Sequence, residues 1–128
     1  LAYCVGLARE AELVAQILEA QGFGCVSGIC KVGSTPKEEI GIRESEKIRI
    51  GQYESMCNPV LQARIMNDAK THFNIALGLC VGHDSLFFRY ADAPTIVLAV
   101  KDRVAGHNPL GPIYTSASYY ARLKNKGF

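Results

Sequence analysis

Short apolar runs alternate with stretches of helical periodicity along this chain, and that alternation constrains its fold more than any other feature. Residues 2–7 (AYCVGL) form the first run. Leu13, Val14, Ile17 and Leu18 then recur at helical spacing over residues 10–21, with Gly22 as the stop signal. Residues 23–29 (FGCVSGI) return to strand character, so the first thirty residues predict a β-α-β unit with a right-handed crossover. Asn58-Pro59 reads as the N-cap and first residue of a second helix, whose buried stripe is Leu61, Ile65, Met66 and Ala69. Residues 74–80 (NIALGLC) predict a third strand, Asp84 a cap for a short helix over 85–90, and residues 94–100 (PTIVLAV) a fourth strand. Ile113, Tyr114, Ala117, Tyr120 and Ala121 predict a last amphipathic helix. The expected architecture is one three-layer α/β domain over residues 1–128, Rossmann-like or flavodoxin-like, with a mostly parallel sheet of about four strands.

Residues 31–54 break the pattern. They are polar, charged and punctuated by glycine, and a structureless stretch of that length in a compact domain is expected to be a lid or binding loop. Of the 128 residues, 20% are charged, and the formal charge of +2 is spread without a basic stripe, which argues against a nucleic-acid partner. No apolar stretch approaches the length of a membrane span and no signal-peptide pattern opens the chain, so the expected setting is cytoplasmic, away from the membrane. The chain begins on Leu1, which suggests a longer protein that has been trimmed. Five scattered cysteines suit reduced thiols, metal ligands or catalytic sulfur better than a disulfide framework.

In parallel α/β sheets ligands bind outside the carboxyl ends of the strands, and the reactive residues follow that rule. Cys30 closes the second predicted strand, Cys80 closes the third, Asp102 follows the fourth, and Cys57 stands just before the cap of the helix that returns to the third. Helix N-termini favour thiolates, which are both nucleophiles and metal ligands. Cys30, Cys57 and Cys80 are therefore the candidate metal ligands. With an imidazole they match a Cys₃His zinc site, and alone they match an iron–sulfur cluster with one accessible iron. Cys80, His83, Asp84, Asp102 and His107 are the candidate catalytic or supporting groups, with Asp102 expected to orient His107. Lys31, Asn58, Lys101, Arg103 and Asn108 are candidates for binding an anionic substrate or cofactor, and Lys37 shares that potential. Cys4 and Cys25 fall inside predicted strands and are expected to fill the core, while His72 is expected to be solvated. Gly22, Gly24 and Gly28 do not form a dinucleotide-binding fingerprint.

The blocks Cys30-Lys31-Val32-Gly33, Met56-Cys57-Asn58-Pro59, Gly78 to Asp84, Lys101-Asp102-Arg103 and Gly106-His107-Asn108-Pro109 resemble the signatures of an uncharacterised prokaryotic family, a domain of unknown function. Its members are commonly labelled metal-binding proteins and are frequent in anaerobic bacteria and archaea. The resemblance covers nearly the whole chain and implies a metal-linked role for Cys30, Cys57 and Cys80. Family members usually carry a cysteine-rich segment ahead of the first strand, which this chain is expected to lack.

The leading expectation is a metal-centre protein, iron–sulfur or zinc, with a redox or sulfur-handling role and a small molecule or redox protein as partner. By analogy of fold alone, an enzymatic version resembles desulfidases that hold a cluster through three cysteines. The alternatives are a metal-free enzyme with Cys80 or Cys57 as nucleophile, and a non-catalytic ligand-binding module roofed by residues 31–54.

Overall fold

A computed structural model describes residues 1–125. Its sheet has four parallel strands, β1 (Ala2–Tyr3), β2 (Gly28–Ile29), β3 (Asn74–Leu77) and β4 (Thr95–Ala99), in the spatial order β2-β1-β3-β4. Helix α1 (Ala8–Ala20) links β1 to β2, α2 (Pro59–Asp68) leads into β3, and α3 (His83–Tyr90) links β3 to β4. The chain steps outward from β1 to β2 and then crosses back to β3 on the other side. Crossovers of one hand must then put α2 and α3 on the face opposite α1.

The buried side chains record that division. Ala2 and Ala76 face Ala63 and Met66 of α2 and Phe87 of α3, whereas Leu77 on the other face packs with Leu1, Leu7 and Ala11 of α1. Successive strand residues alternate between the two faces, as the pleat requires. Gln62 of α2 is wholly buried, and its side-chain Nε2 donates to the carbonyls of Gly28 (2.8 Å) and Tyr3 (3.2 Å), which ties the helix to the carboxyl ends of two strands.

The strands are shorter than the apolar runs. In place of a strand over 2–7, the chain turns at once into a 3₁₀ segment (Val5–Leu7), which brings Leu7 against Gly78 so closely that a side chain there would collide with it. Of residues 23–29 only Gly28 and Ile29 pair, because β1 offers β2 only Ala2 and Tyr3. Gly82, at φ 89°, rather than Asp84 holds the N-cap position of α3, while Asp84 Oδ1 accepts from the N–H groups of Gly82 and Ser85. The predicted last helix is reduced to α4 (Leu110–Tyr114) and a 3₁₀ turn (Ala121–Lys124). Between them the Thr115 and Ser118 hydroxyls donate to the carbonyls of Gly111 and Thr115, local bonds that compete with a continuous helix. β4 leaves Ile96, Val97 and Leu98 half-exposed at the sheet edge.

The polar excursion folds into a closed loop with two 3₁₀ turns (Lys37–Ile40, Glu44–Glu46). Its neck is an antiparallel bridge between Pro36 and Ser55, with the Met56 N–H donating to the Thr35 carbonyl at 2.9 Å. Inside, the Lys47 ammonium is buried between Glu38 and Glu44 and also donates to the Gln52 carbonyl, while Lys37 pairs with Glu54 at 2.5 Å. Lys31 Nζ donates to the Ser55 carbonyl at 2.5 Å, which fastens the loop to the end of β2.

Two stability predictions follow from the α2 face. A Cβ on Gly28 would lie 2.8 Å from Met66 Cε, so Gly28→Ala is expected to cost about 1–3 kcal/mol, and much less in a Met66→Ala background. Urea denaturation of the double-mutant cycle measures that coupling. Gln62→Ala removes a buried donor from the Gly28 and Tyr3 carbonyls and is expected to cost about 1–3 kcal/mol by the same measurement.

Candidate functional site

Each strand of the sheet ends beside a sulfur or an ammonium. Cys4 follows β1, Cys30 follows β2, Cys80 lies three residues beyond β3 and Lys101 lies two beyond β4. Cys57 joins them because α2 starts at this edge: the Asn58 N–H donates to the Cys30 carbonyl at 2.7 Å, and the Asn58 side chain caps the helix by accepting from Leu61 N–H at 2.9 Å. The edge is the one at which the strand order reverses, between β1 and β3, where the connections part and leave a crevice.

Two pairs of contacts define the centre. The sulfurs of Cys30 and Cys57 stand 3.7 Å apart, and Cys30 Sγ also accepts from the Val5 N–H at 3.3 Å. Lys101 Nζ donates to Cys4 Sγ at 3.0 Å and to Cys80 Sγ at 3.2 Å, bridging thiols that are seventy-six positions apart in the chain. All five cysteines are free. Among the described residues no group of three or more Cys, His, Asp or Glu side chains stands ready around one point to hold a metal ion.

The electrostatics divide the thiols. Burial pushes the Cys4 thiol up, but the hydrogen bond from Lys101, a backbone N–H from Gly6, the charge of that ammonium and a bond from Cys30 together hold it below the ordinary thiol value. Cys30 is pushed up to about 12, chiefly by burial, with the neighbouring Cys57 and Cys4 adding to the rise against the Val5 N–H. Lys101 is raised above its ordinary value, first by its bond to Cys4. The arrangement favours ionisation of Cys4, beside the Lys101 ammonium, ahead of Cys30, which keeps its proton near neutral pH.

Sequence reasoning underrated Cys4. It is buried, as a core residue would be, but its sulfur belongs to the reactive edge because β1 ends at Tyr3, four residues before the end of its apolar run. Cys25 is partly exposed and lies elsewhere, in the wall of a cleft of about 710 Å³ that also includes His72. That cleft is the larger one, yet it sits at the amino edge of the sheet, away from the reactive thiols.

At the carboxyl edge an open cleft of about 560 Å³ is walled by Lys37, Ile40, Ile42 and Glu46 of the closed loop, with Met56, Cys57 and His83 opposite. The Nδ1 atom of His83 is buried and has no hydrogen-bond partner among the described residues. Asp84 serves its own turn. Asp102 does not orient His107 through its carboxylate, which instead accepts from the Val104 and Ala105 N–H groups. The backbone N–H of Asp102 donates to His107 Nδ1 at 3.1 Å. His107 closes that loop in the left-handed region, with φ 62°. Arg103 lies over Gly6, and Asn108 donates its N–H to the Ala105 carbonyl. Of the basic candidates, Lys31 and Lys37 hold the closed loop and Lys101 holds thiols.

The thiol shifts have opposite consequences for stability against pH. The depressed Cys4 stabilises the fold above its ordinary titration range, and that contribution is lost as pH falls through its folded value. The raised Cys30 does the reverse, so stability is expected to fall as pH climbs from ~8.5 toward the value of about 12. Urea denaturation across that range should show the alkaline decline in the native chain and a weaker one in Cys30→Ala. In Lys101→Met, the first thiolate to appear by ultraviolet absorbance should do so at higher pH.

Comparison with known proteins places this edge in a family. The family model described as a protein of unknown function, DUF1847, matches residues 1–98, a span that includes all the cysteines. The "Uncharacterized protein MJ0455" of Methanocaldococcus jannaschii is 45% identical over 127 residues, covering 99% of this chain and 63% of that relative, so the chain spans less than two thirds of the relative's length. No solved structure matches the chain. On the extent of the family match and the identity to that relative, the chain belongs to the DUF1847 family.

Proposed function

We propose that the carboxyl edge of the sheet is a soft-metal centre, with Cys30 and Cys57 as its first ligands and Cys4 and Cys80 completing a thiolate set. The observation that carries this reading is the 3.7 Å separation of the Cys30 and Cys57 sulfurs. Two thiolates bound at ~2.3 Å to one tetrahedral ion stand about 3.8 Å apart, so this pair already has the spacing of shared ligation. Donor chemistry supports it further, because thiolates select zinc, cuprous copper or iron–sulfur clusters over hard cations.

Lys101 now supplies the positive charge between Cys4 and Cys80. Recruiting those two sulfurs to a metal exchanges one cation for another, and the ammonium must withdraw. Cys30, protonated near neutral pH, releases its proton on ligation, so affinity is expected to rise with pH. A bound zinc ion would supply Lewis acidity and a cluster would supply one-electron transfer. The chain's own residues form the walls, with the closed loop over residues 37–56 shielding one side.

Anaerobic purification followed by metal analysis and visible absorption tests the proposal. The expected result is stoichiometric zinc or a coloured cluster, lost or sharply weakened in Cys57→Ala and Cys30→Ala. A chain with no stoichiometric metal, and with zinc affinity unchanged by either substitution, overturns it. Lys101→Met is expected to bind zinc more tightly, since no ammonium has to be displaced. Weaker binding in that variant would show that the ammonium supports the ligands instead of competing for them.

A further inference from the structure

The Cys30–Cys57 pair combines three properties that ligation alone does not require. Its sulfurs are 3.7 Å apart, close to contact, and the hydrogen bond from Asn58 N–H to the Cys30 carbonyl (2.7 Å) holds the two backbones side by side. The two thiols are unequal in access: Cys57 is partly exposed and lines the 560 Å³ cleft, whereas Cys30 is 2% exposed and is not part of its lining. Ile40 and Ile42 from the closed loop, with Met56 next to Cys57 in the chain, give the cleft a largely apolar lining, to which the loop also contributes the charged Lys37 and Glu46.

We propose that the metal-free chain uses Cys57 and Cys30 as an attacking and a resolving thiol that reduce small, uncharged, apolar organic disulfides bound in this cleft. The Cys57 thiolate attacks one sulfur of R–S–S–R, forming a Cys57–S–S–R mixed disulfide and expelling one thiolate, which takes up the proton that Cys57 gave up. Cys30 then attacks Cys57 Sγ and forms the Cys30–Cys57 disulfide. The sulfur–sulfur bond between Cys57 and the substrate half breaks, and the second thiolate, RS⁻, leaves with the proton from Cys30. Two electrons pass from the dithiol to the substrate, and the balance is dithiol plus R–S–S–R giving protein disulfide plus two R–SH.

His83 has a place in this scheme. The His83 side chain lines the same cleft as Cys57, with its Nδ1 buried and without a hydrogen-bond partner among the described residues, and the scheme gives this imidazole the relay of the proton between thiol and leaving thiolate. Ile40 is half-exposed and serves as a recognition surface with little part in the core. The scheme does not rest on the metal reading: a chain that binds no metal can pass its test, and a zinc-binding chain can fail it once depleted.

The test uses reduced chain freed of metal with a chelator, its thiols counted, and mixed with dithiodipyridine as the apolar probe and glutathione disulfide as the charged comparison. Peptide mapping by mass spectrometry is expected to find the first adduct on Cys57, then a Cys30–Cys57 disulfide with release of the second thiopyridone. Cys30→Ala is expected to stop at the Cys57 adduct with a single release from that site. Ile40→Ser, at an exposed position where folding is not at stake, is expected to slow the apolar probe on the order of tenfold and leave glutathione disulfide unaffected. The proposal is overturned if Cys25, outside the cleft, reacts as fast as Cys57, if the disulfide formed joins other cysteines, or if Ile40→Ser slows both probes alike or neither.

Discussion

Everything at the thiol edge depends on β1, a strand of two residues held between β2 and β3. It fixes the ends of both neighbours. The Cys30 N–H donates to the Tyr3 carbonyl at 2.8 Å and the Cys4 N–H to the Leu77 carbonyl at 3.2 Å, so the backbones that carry two of the sulfurs are hydrogen-bonded extensions of the sheet. Gln62 reaches under the same ends from α2, and Asn58 binds the Cys30 carbonyl from that helix's first turn. A site built on strand ends and a helix cap is held by backbone bonds, and its side chains inherit that rigidity.

The closed loop works differently. Apart from the bridge at its neck it is held largely by ion pairs around Lys47 and Lys37, with few apolar contacts to the core. Exposed carboxylates such as Glu38 and Glu44 pair with an ammonium whose own side chain is only 3% exposed, so the loop has a charged centre and apolar residues, Ile40 and Ile42, turned to the cleft. That inverts the usual arrangement of an apolar core under a polar surface, and it suits a wall whose apolar side is meant to meet something other than its own chain.

The fold and the edge at which the cysteines gather were legible because hydrophobic periodicity and the Asn58-Pro59 start signal fix element order, and element order in a parallel sheet fixes which loops share an edge. Element lengths were not. Residues 2–7 and 23–29 look like strands by composition, but pairing is limited by the shorter partner, which no local pattern reports. That shortening moved Cys4 out of a strand and into the site. Lys101 was legible as a charge beside a strand end, but not as a thiol partner, since its contacts lie ninety-seven and twenty-one positions away. Cys25 shows the converse: a cysteine in a run of apolar character that neither pairs in the sheet nor packs deep in the core.

The five groups of the site, at positions 4, 30, 57, 80 and 101, come from four separate connections, with Cys30 and Cys57 at the two ends of one of them, and none of its contacts joins neighbours in sequence. During folding, therefore, the Cys30–Cys57 pair closes with its own loop, whereas Cys4 and Cys80 must wait for Lys101. Loop-closure entropy makes such distant pairings late events, and that half of the site comes together only when the last crossover has docked. Until then its thiols are independent, reactive and free to pair wrongly. For this chain the order of events, sheet first and sulfur chemistry afterwards, is written into the topology.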